Sequence, residues 1–305
     1  MSVAQAAAPP VVKRPAGPFR LRPSRAVLDV LLAVIGIFWL VPTIGLTVIS
    51  FRPESLFQQS GWWTVLTAPA QLTLQNYTTL FSQGFGTGLL LDSLLTSIAI
   101  TIPATILVAV ISSMAAYSLV FGRWRGRTAT FLVIVGLLVV PVQIALIPVV
   151  QMYRAFGSLT GFNPFGTVLG VVIFHVAFGL PFGIFLMRNF YTGIPTDLLE
   201  AARIDGAGEW RLFQRVVMPV SLPAMMSLAI FQFIWVWNDL LVALVFLGGN
   251  AHHPLTIFLY GQTRTLAASY WVISTGAMVS ILIPLAVFFA FQRYFVQGVL
   301  AGSVK

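Results

Sequence analysis

An all-α membrane protein with six transmembrane helices is the fold this sequence predicts, and three observations carry the prediction. The 305-residue chain is 58% hydrophobic and only 8% charged, whereas soluble domains carry about 25% charged residues. In water such a chain exposes large apolar patches. Six stretches are long and apolar enough to cross a bilayer, and the basic residues fall almost entirely on one side of them.

Residues 1–27 come first. They are rich in Pro, Ala and basic residues and lack the apolar core of a signal peptide, so they read as a disordered cytoplasmic tail ahead of a membrane domain over 28–305. A span needs roughly 20 apolar residues, because hydrocarbon about 30 Å thick is crossed at about 1.5 Å per residue. Leu28–Ser50, Leu90–Val120, Ala129–Val150, Gly166–Met187, Leu222–Leu247 and Tyr270–Phe291 satisfy this. The second and fifth have length to spare for tilting.

Charge then orients the spans. With the N-terminus inside, Lys13, Arg14, Arg20, Arg22, Arg25, Arg123, Arg125, Arg127, Arg188, Arg203, Arg211, Arg215, Arg293 and Lys305 all lie inside. Only Arg52, Arg154 and Arg264 lie outside. The positive-inside bias selects this orientation, with both ends in the cytoplasm. The net charge of +9 is spread along the chain and forms no basic stripe, so a nucleic-acid partner is not indicated. Pro42, Pro103, Pro141, Pro148, Pro181 and Pro284 fall within the spans, where each removes a backbone donor and bends a helix.

Several chemistries are excluded. Cysteine is absent, so there is no disulfide, thiolate nucleophile or Cys-based metal site. His175, His252 and His253 form no H-E-x-x-H pattern, and the adjacent pair reads as polar loop surface. The two lysines, Lys13 and Lys305, stand in no G-x-x-x-x-G-K-[ST] loop, so the chain holds no P-loop ATPase site. No catalytic, cofactor or metal residue is expected.

The outer segment over 51–89 is moderately polar, with Trp62 and Trp63 suited to the membrane interface. The inner loop over 188–223 is more informative. It holds four of the chain's eight acidic residues, Asp197, Glu200, Asp205 and Glu209. Pro195 suits a helix start, and Asp197 in the first turn faces the free amides. Glu200 and Arg203 are spaced to pair. Gly206 and Gly208 break the helix. A second helix follows, in which Trp210, Phe213 and Val217 recur on one apolar face. Ala201, Ala202, Gly206 and Ala207 make a compact small-residue patch, which fits a docking element better than a helix lying among headgroups.

Polar groups inside spans mark a path or a helix contact, because charge in apolar surroundings is costly. His175, Gln232, Trp237, Asn238 and Asp239 are the candidates.

The inner loop resembles the cytoplasmic signature of permease subunits of ATP-binding-cassette importers: E-A-A, three residues, G, nine residues, I-x-L-P. Glu200, Ala201, Ala202, Gly206 and Pro219 match it, with Val216 and Met218 as conservative replacements. EAARIDGA, the W-N-D at Trp237, Asn238 and Asp239, and the terminal QRYFVQGVLAGSVK resemble the carbohydrate branch, which includes maltose-type permeases. NYTTLF from Asn76 and AAYSL from Ala115 are similar to it as well, whereas Asp92 stands where the family usually has Asn. TIPATI from Thr101 looks most like alpha-glucoside-type permeases.

The resemblance implies a prokaryotic inner-membrane permease that moves a sugar, with ATP and Mg on two separate ATP-binding subunits. A second permease and an extracytoplasmic solute-binding protein complete the assembly. It implies that Glu200, Ala201, Ala202, Asp205, Gly206 and Pro219 serve a coupling helix seated in an ATP-binding subunit, and that Ile204 and Trp210 anchor this lever to the chain's own core. Importers of polyol phosphates, amino acids or peptides share the signature. An ion-coupled transporter is the rival from another class, although the chain shows no clear repeated halves.

Overall fold

The computed structural model describes residues 25–57, 59–82, 90–249, 252–263 and 270–303, with side chains as far as Tyr294. Of the expected tail over 1–27, residues 1–24 lie outside the described residues, and Arg25, Ala26 and Val27 belong instead to the first turn of a helix. All described regular structure is helical. In chain order the helices are α1 (Arg25–Ser50), α2 (Glu54–Phe57), α3 (Gln75–Ser82), α4 (Leu90–Phe121), α5 (Arg127–Leu137), α6 (Val142–Thr160) and α7 (Val168–Tyr191). Then come α8 (Thr196–Ile204), α9 (Glu209–Leu212), α10 (Met218–Trp237), α11 (Leu241–Leu247), α12 (Leu255–Thr263) and α13 (Tyr270–Ser303). Short 3₁₀ turns occupy Trp62–Leu66 and Pro69–Gln71.

Two compact units divide at Ile44 and Gly45. The first is described from residue 25 as the larger part of α1, an apolar helix with Pro42 inside it. The second holds everything from Gly45 onward.

Six helices among the described residues are long and apolar enough to span a membrane. Four match the expected spans to within a few residues. The third does not. Ala129–Val150 is no single helix: α5 ends at Leu137, and Pro141, in an extended conformation (ψ 129°), starts α6. Proline has no N–H to continue a ladder, but it is tolerated where a helix begins. The spanning helix is therefore Val142–Thr160. The fifth also differs, because α10 stops at Trp237 and α11 is separate. Asn238 donates from Nδ2 to the Ile234 carbonyl at 2.8 Å, and Asp239 Oδ2 accepts from the Ala243 amide at 3.1 Å. These polar side chains cap the two helix ends they separate.

The segment between α1 and α3 is tied down by buried polar groups. Asn76 Nδ2 donates to the Ser50 and Arg52 carbonyls at 2.9 and 2.8 Å. The buried Arg52 guanidinium binds Ser60 Oγ at 2.6 Å and the Ser60 carbonyl at 3.1 Å.

The centre of the second unit is the contact of α4 with α7, joined by α10. Lipid tails are as apolar as Leu, so membrane helices associate through close packing of small residues. Gly179 and Gly183 provide it on α7. A Cβ on Gly179 would lie 2.8 Å from the Gln232 amide atoms and 2.9 Å from Val108. One on Gly183 would meet Ser112 Oγ and lie 2.9 Å from Ser112 Cβ. The facing side of α4 carries a buried row at four-residue spacing, Ser93, Ser97, Thr101 and Thr105, and continues to Ser112 and Ser113.

Overpacking of this kind costs about 1–3 kcal/mol. Gly183→Val is expected to lower the heat-denaturation midpoint of the detergent-purified chain. Gly136→Val, with nothing within 4 Å of its added Cβ, is expected to leave it unchanged.

Candidate functional site: a lever loop and the polar groups between spans

Between α7 and α10 the chain folds as the local signals direct, with one rearrangement of charges. Pro195 takes an extended conformation (φ −58°, ψ 131°) as the residue before α8, and Asp197 lies in the first turn. At the other end, Ala207 N donates to the Ala202 carbonyl and Gly206 N to the Arg203 carbonyl, both at 3.0 Å. This 6→1 and 5→2 pair is a Schellman cap, which needs a left-handed residue; Gly206 supplies it at φ +80°. Nothing lies within 4 Å of a Cβ built on Gly206. Glycine is required there by the backbone, and the side-chain direction opens onto free surface. Glu200, Ala201, Asp205 and Ile204 are exposed and Ala202 is half-buried.

The expected Glu200–Arg203 pair is replaced. Arg203 Nη2 and Nε bind Glu209 Oε1 at 3.1 and 3.3 Å. The other carboxylate oxygen, Oε2, accepts from the Tyr117 hydroxyl at 2.5 Å. Glu209 thus pins the end of α8 to the C-terminal end of α4. The Arg203–Glu209 pair is exposed, so its net contribution is small, of order 0.2–1 kcal/mol; its value is geometric.

The anchoring residues also differ from expectation. Ile204 is 86% exposed and Trp210 58% exposed, although Trp210 touches Phe213 with ring centroids 5.7 Å apart. A nine-residue helix with one buried stripe turns the opposite face outward, and Ile204 is on that outer face. The loop is held instead by Leu199, Leu212 and Val217, buried in one cluster with Met187, Tyr191 and Leu228, and by the buried Phe213, whose ring centroid lies 5.3 Å from that of Tyr117. Phe213–Val217 form a π turn that leads into α10. Pro219 follows in the first turn of α10, and the Ser221 hydroxyl donates to the Val217 carbonyl at 2.7 Å.

The candidate path residues separate into groups. His175 Nε2 lies 3.8 Å from Asp239 Oδ2, and these two line a small void with Trp237, Ser97 and Thr101. Trp237 is buried, stacks on Phe233 and donates from Nε1 to the Ser280 carbonyl at 3.1 Å. It ties α10 to α13. Asn238 is the cap described above. Gln232 stands apart, beside a cleft of about 600 Å³ between the α5–α6 junction, α7 and α10. His253, expected at the surface, is buried, with Nδ1 3.4 Å from Ser93 Oγ. Among the described residues no cluster of His, Cys, Asp and Glu suits a metal ion.

Residues 106–301 match the family described as "Binding-protein-dependent transport system inner membrane component". The chain is 43% identical over 283 residues to the osmoprotective compounds uptake permease protein GgtD of Synechocystis, covering 91% of each. The chain belongs to this family of transport permeases. It is 42% identical over 240 residues to the alpha-glucoside transport system permease protein AglG of Rhizobium meliloti, covering 78% of this chain and 62% of that longer one. A chain from the crystal structure of a bacterial ABC transporter involved in import of the acidic polysaccharide alginate shares the fold, with TM-score 0.72 at 22% identity over 91% of this chain and 99% of that one.

As a permease subunit of an ATP-binding-cassette importer, the chain is a multi-pass membrane protein and not an enzyme. Two features of this permease escaped the sequence reading. The Ser/Thr row of α4 was visible as a four-residue period within the second span, and G-L-P-F-G over 179–183 is a small-xxx-small pattern. Leu199 and Ile204 are alike as sequence, and only packing separates their roles. Leu199→Ala is expected to destabilise by about 2–5 kcal/mol and Ile204→Ala to stay within about 0.5 kcal/mol, read from the heat-denaturation midpoint of the purified permease.

Proposed function

We propose that this permease carries a sugar, an alpha-glucoside or a related oligosaccharide, across the prokaryotic inner membrane with both its termini in the cytoplasm. The observation that carries the reading is the pair of relatives above 40% identity whose names specify osmoprotective compounds and alpha-glucosides, taken with the EAARIDGA and W-N-D motifs. In this reading a soluble binding protein delivers the solute outside, and a second permease completes the path. Two ATP-binding subunits holding ATP and Mg supply the energy.

Force enters through α8. Its outer surface, with Glu200, Ala201, Asp205, Ile204 and the open side of Gly206, fits a cleft in an ATP-binding subunit. Its inner surface is fixed by Leu199 and by the Glu209 pin, so displacement of α8 is passed to α4, α7 and α10 together. Ile204 thus takes a contact role with the partner, where the sequence suggested an internal anchor. His175 and Asp239 serve as an outer gate contact in the same scheme, and Trp237 and Asn238 hold the helix ends around it.

Reconstitution with the second permease, the ATP-binding subunits and the binding protein tests the reading. ATP-dependent uptake of maltose, sucrose or trehalose is expected. Uptake restricted to methionine or glycerol 3-phosphate, or uptake driven by an ion gradient without ATP, would refute it. Gly206→Leu is expected to abolish uptake while the binding protein's solute affinity is unchanged, with Gly206→Ala retaining part of the activity. The absence of cysteine makes single-cysteine labelling clean. A membrane-impermeant thiol reagent should modify Asp205→Cys only in inside-out vesicles and Ser158→Cys only from the outside; the reverse pattern would overturn the orientation.

A further inference from the structure

We infer that the cleft beside Gln232 is a solute subsite contributed by this chain itself, with Gln232 as its polar contact and the surrounding aromatic rings as its platforms. This inference rests on the sugar reading above.

Gln232 is 2% exposed, yet both its Nε2 and Oε1 are without a hydrogen-bond partner. A buried amide left unpaired costs about 1–3 kcal/mol, and inside a membrane polar side chains face a partner or a water-accessible cavity. The amide lies under the floor of the cleft, against Gly179, where the missing Cβ leaves it room. A glutamine side chain on this edge reaches the cleft by rotation of its own torsions.

A second polar group belongs to the same wall. Pro181, inside α7, has no N–H, so the Ala177 carbonyl lacks its i+4 donor. Both residues line the cleft. The walls are apolar and aromatic, with Phe178, Phe182, Phe231 and Trp235. Phe182, Phe231 and Trp235 are 37%, 42% and 42% exposed. At about 600 Å³ the cleft falls within the range of about 300–1,000 Å³ that small-ligand sites occupy.

The chemistry selects among occupants. A sugar presents hydroxyls that both donate and accept, and C–H faces that lie on aromatic rings. The amide donates twice and accepts, the carbonyl accepts, and the rings supply the flat surfaces. A lipid tail leaves the amide unpaired. The α4 face behind Gln232 adds to the argument. Its Ser/Thr row is paired at the outer end, where Ser97 Oγ accepts from the Leu255 amide at 2.8 Å, and at the inner end, where Ser113 bonds Tyr191. In between, Thr105 and Ser112 are unpaired. Thr105, Ser112 and Gln232 account for four of the six buried side-chain polar atoms left unpaired among the described residues; the others belong to Arg52 and Gln71.

The test uses the assembled importer in proteoliposomes with its binding protein and radiolabelled maltose, sucrose and trehalose. Gln232→Met keeps the volume and removes the unpaired amide, so assembly is preserved and the heat-denaturation midpoint is unchanged or higher. Uptake per ATP hydrolysed is expected to fall at least tenfold, with stimulation of ATP hydrolysis by the loaded binding protein retained. Gln232→Asn is expected to restore part of the uptake, and Trp235→Leu to alter the preference among the three sugars. Uptake by Gln232→Met within twofold of wild type would overturn the subsite alone. Loss of assembly with the second permease in that variant would also overturn it, because the amide then serves a subunit contact. A wild-type importer that moves none of the three sugars would overturn the sugar reading and this inference with it.

Discussion

Helices in a bilayer gain little from burying one apolar surface against another, because the surface they leave behind is equally apolar. Close approach of backbones must supply the attraction, and in this chain the requirement falls on the contact of α4 with α7. Gly179 and Gly183 face Val108, Ser112 and Gln232 at distances that admit no added methyl group. The remaining features of the second unit are arranged around this seam. The cleft opens between α7, α10 and the α5–α6 junction, the polar row runs along α4, and Gln232 of α10 meets Gly179 of the seam.

The seam also bears on how a loop with so few strong interactions could serve in the proposed lever role. Its surface ion pair is weak, and its helix has only nine residues. What stiffens it is the buried cluster of Leu199, Leu212 and Val217 against Met187, Tyr191 and Leu228, together with the cap that Gly206 makes possible. Tyr191 continues this cluster into the seam through Ser113, while Tyr117, one turn further along α4, holds Glu209. In the proposed scheme, motion imposed on α8 would meet α4 and α7 at points already tied to each other.

Much of this was legible in the sequence, for a physical reason. Span number follows from length and apolarity, which are local properties, and so does the glycine stop at Gly206. What escaped were properties set by the neighbours. Pro141 is compatible with a kinked span or with a helix start, and only the turn at 138–141 decides between them. Asn238 and Asp239 read as intramembrane polar groups, whereas each caps a helix end. Leu199 and Ile204 are both large aliphatics of one short helix, and burial assigns the anchor to the first. Arg203 had an acidic residue within reach on its own helix, yet it pairs with Glu209 beyond the glycine turn, because the turn folds α9 back toward it. The helix, glycine stop and second helix of the loop were visible; the inventory of residues holding them was not.

The distribution of unmatched polar groups carries the synthesis one step further. A transporter has to bind its solute weakly enough to release it, so the groups it offers cannot all be permanently satisfied, nor can they be so exposed that lipid contact destabilises the fold. Placing them beside a seam of glycines meets both demands. The N-terminal and C-terminal ends of the α4 row are paired, while Thr105, Ser112 and Gln232 in the middle remain unpaired next to the residues with the least side chain to move. A small displacement of α7 changes what those groups can reach without breaking the bonds at either end. If the proposed path runs here, the same glycines that let the helices associate leave its polar middle adjustable, and stability and passage would depend on one contact.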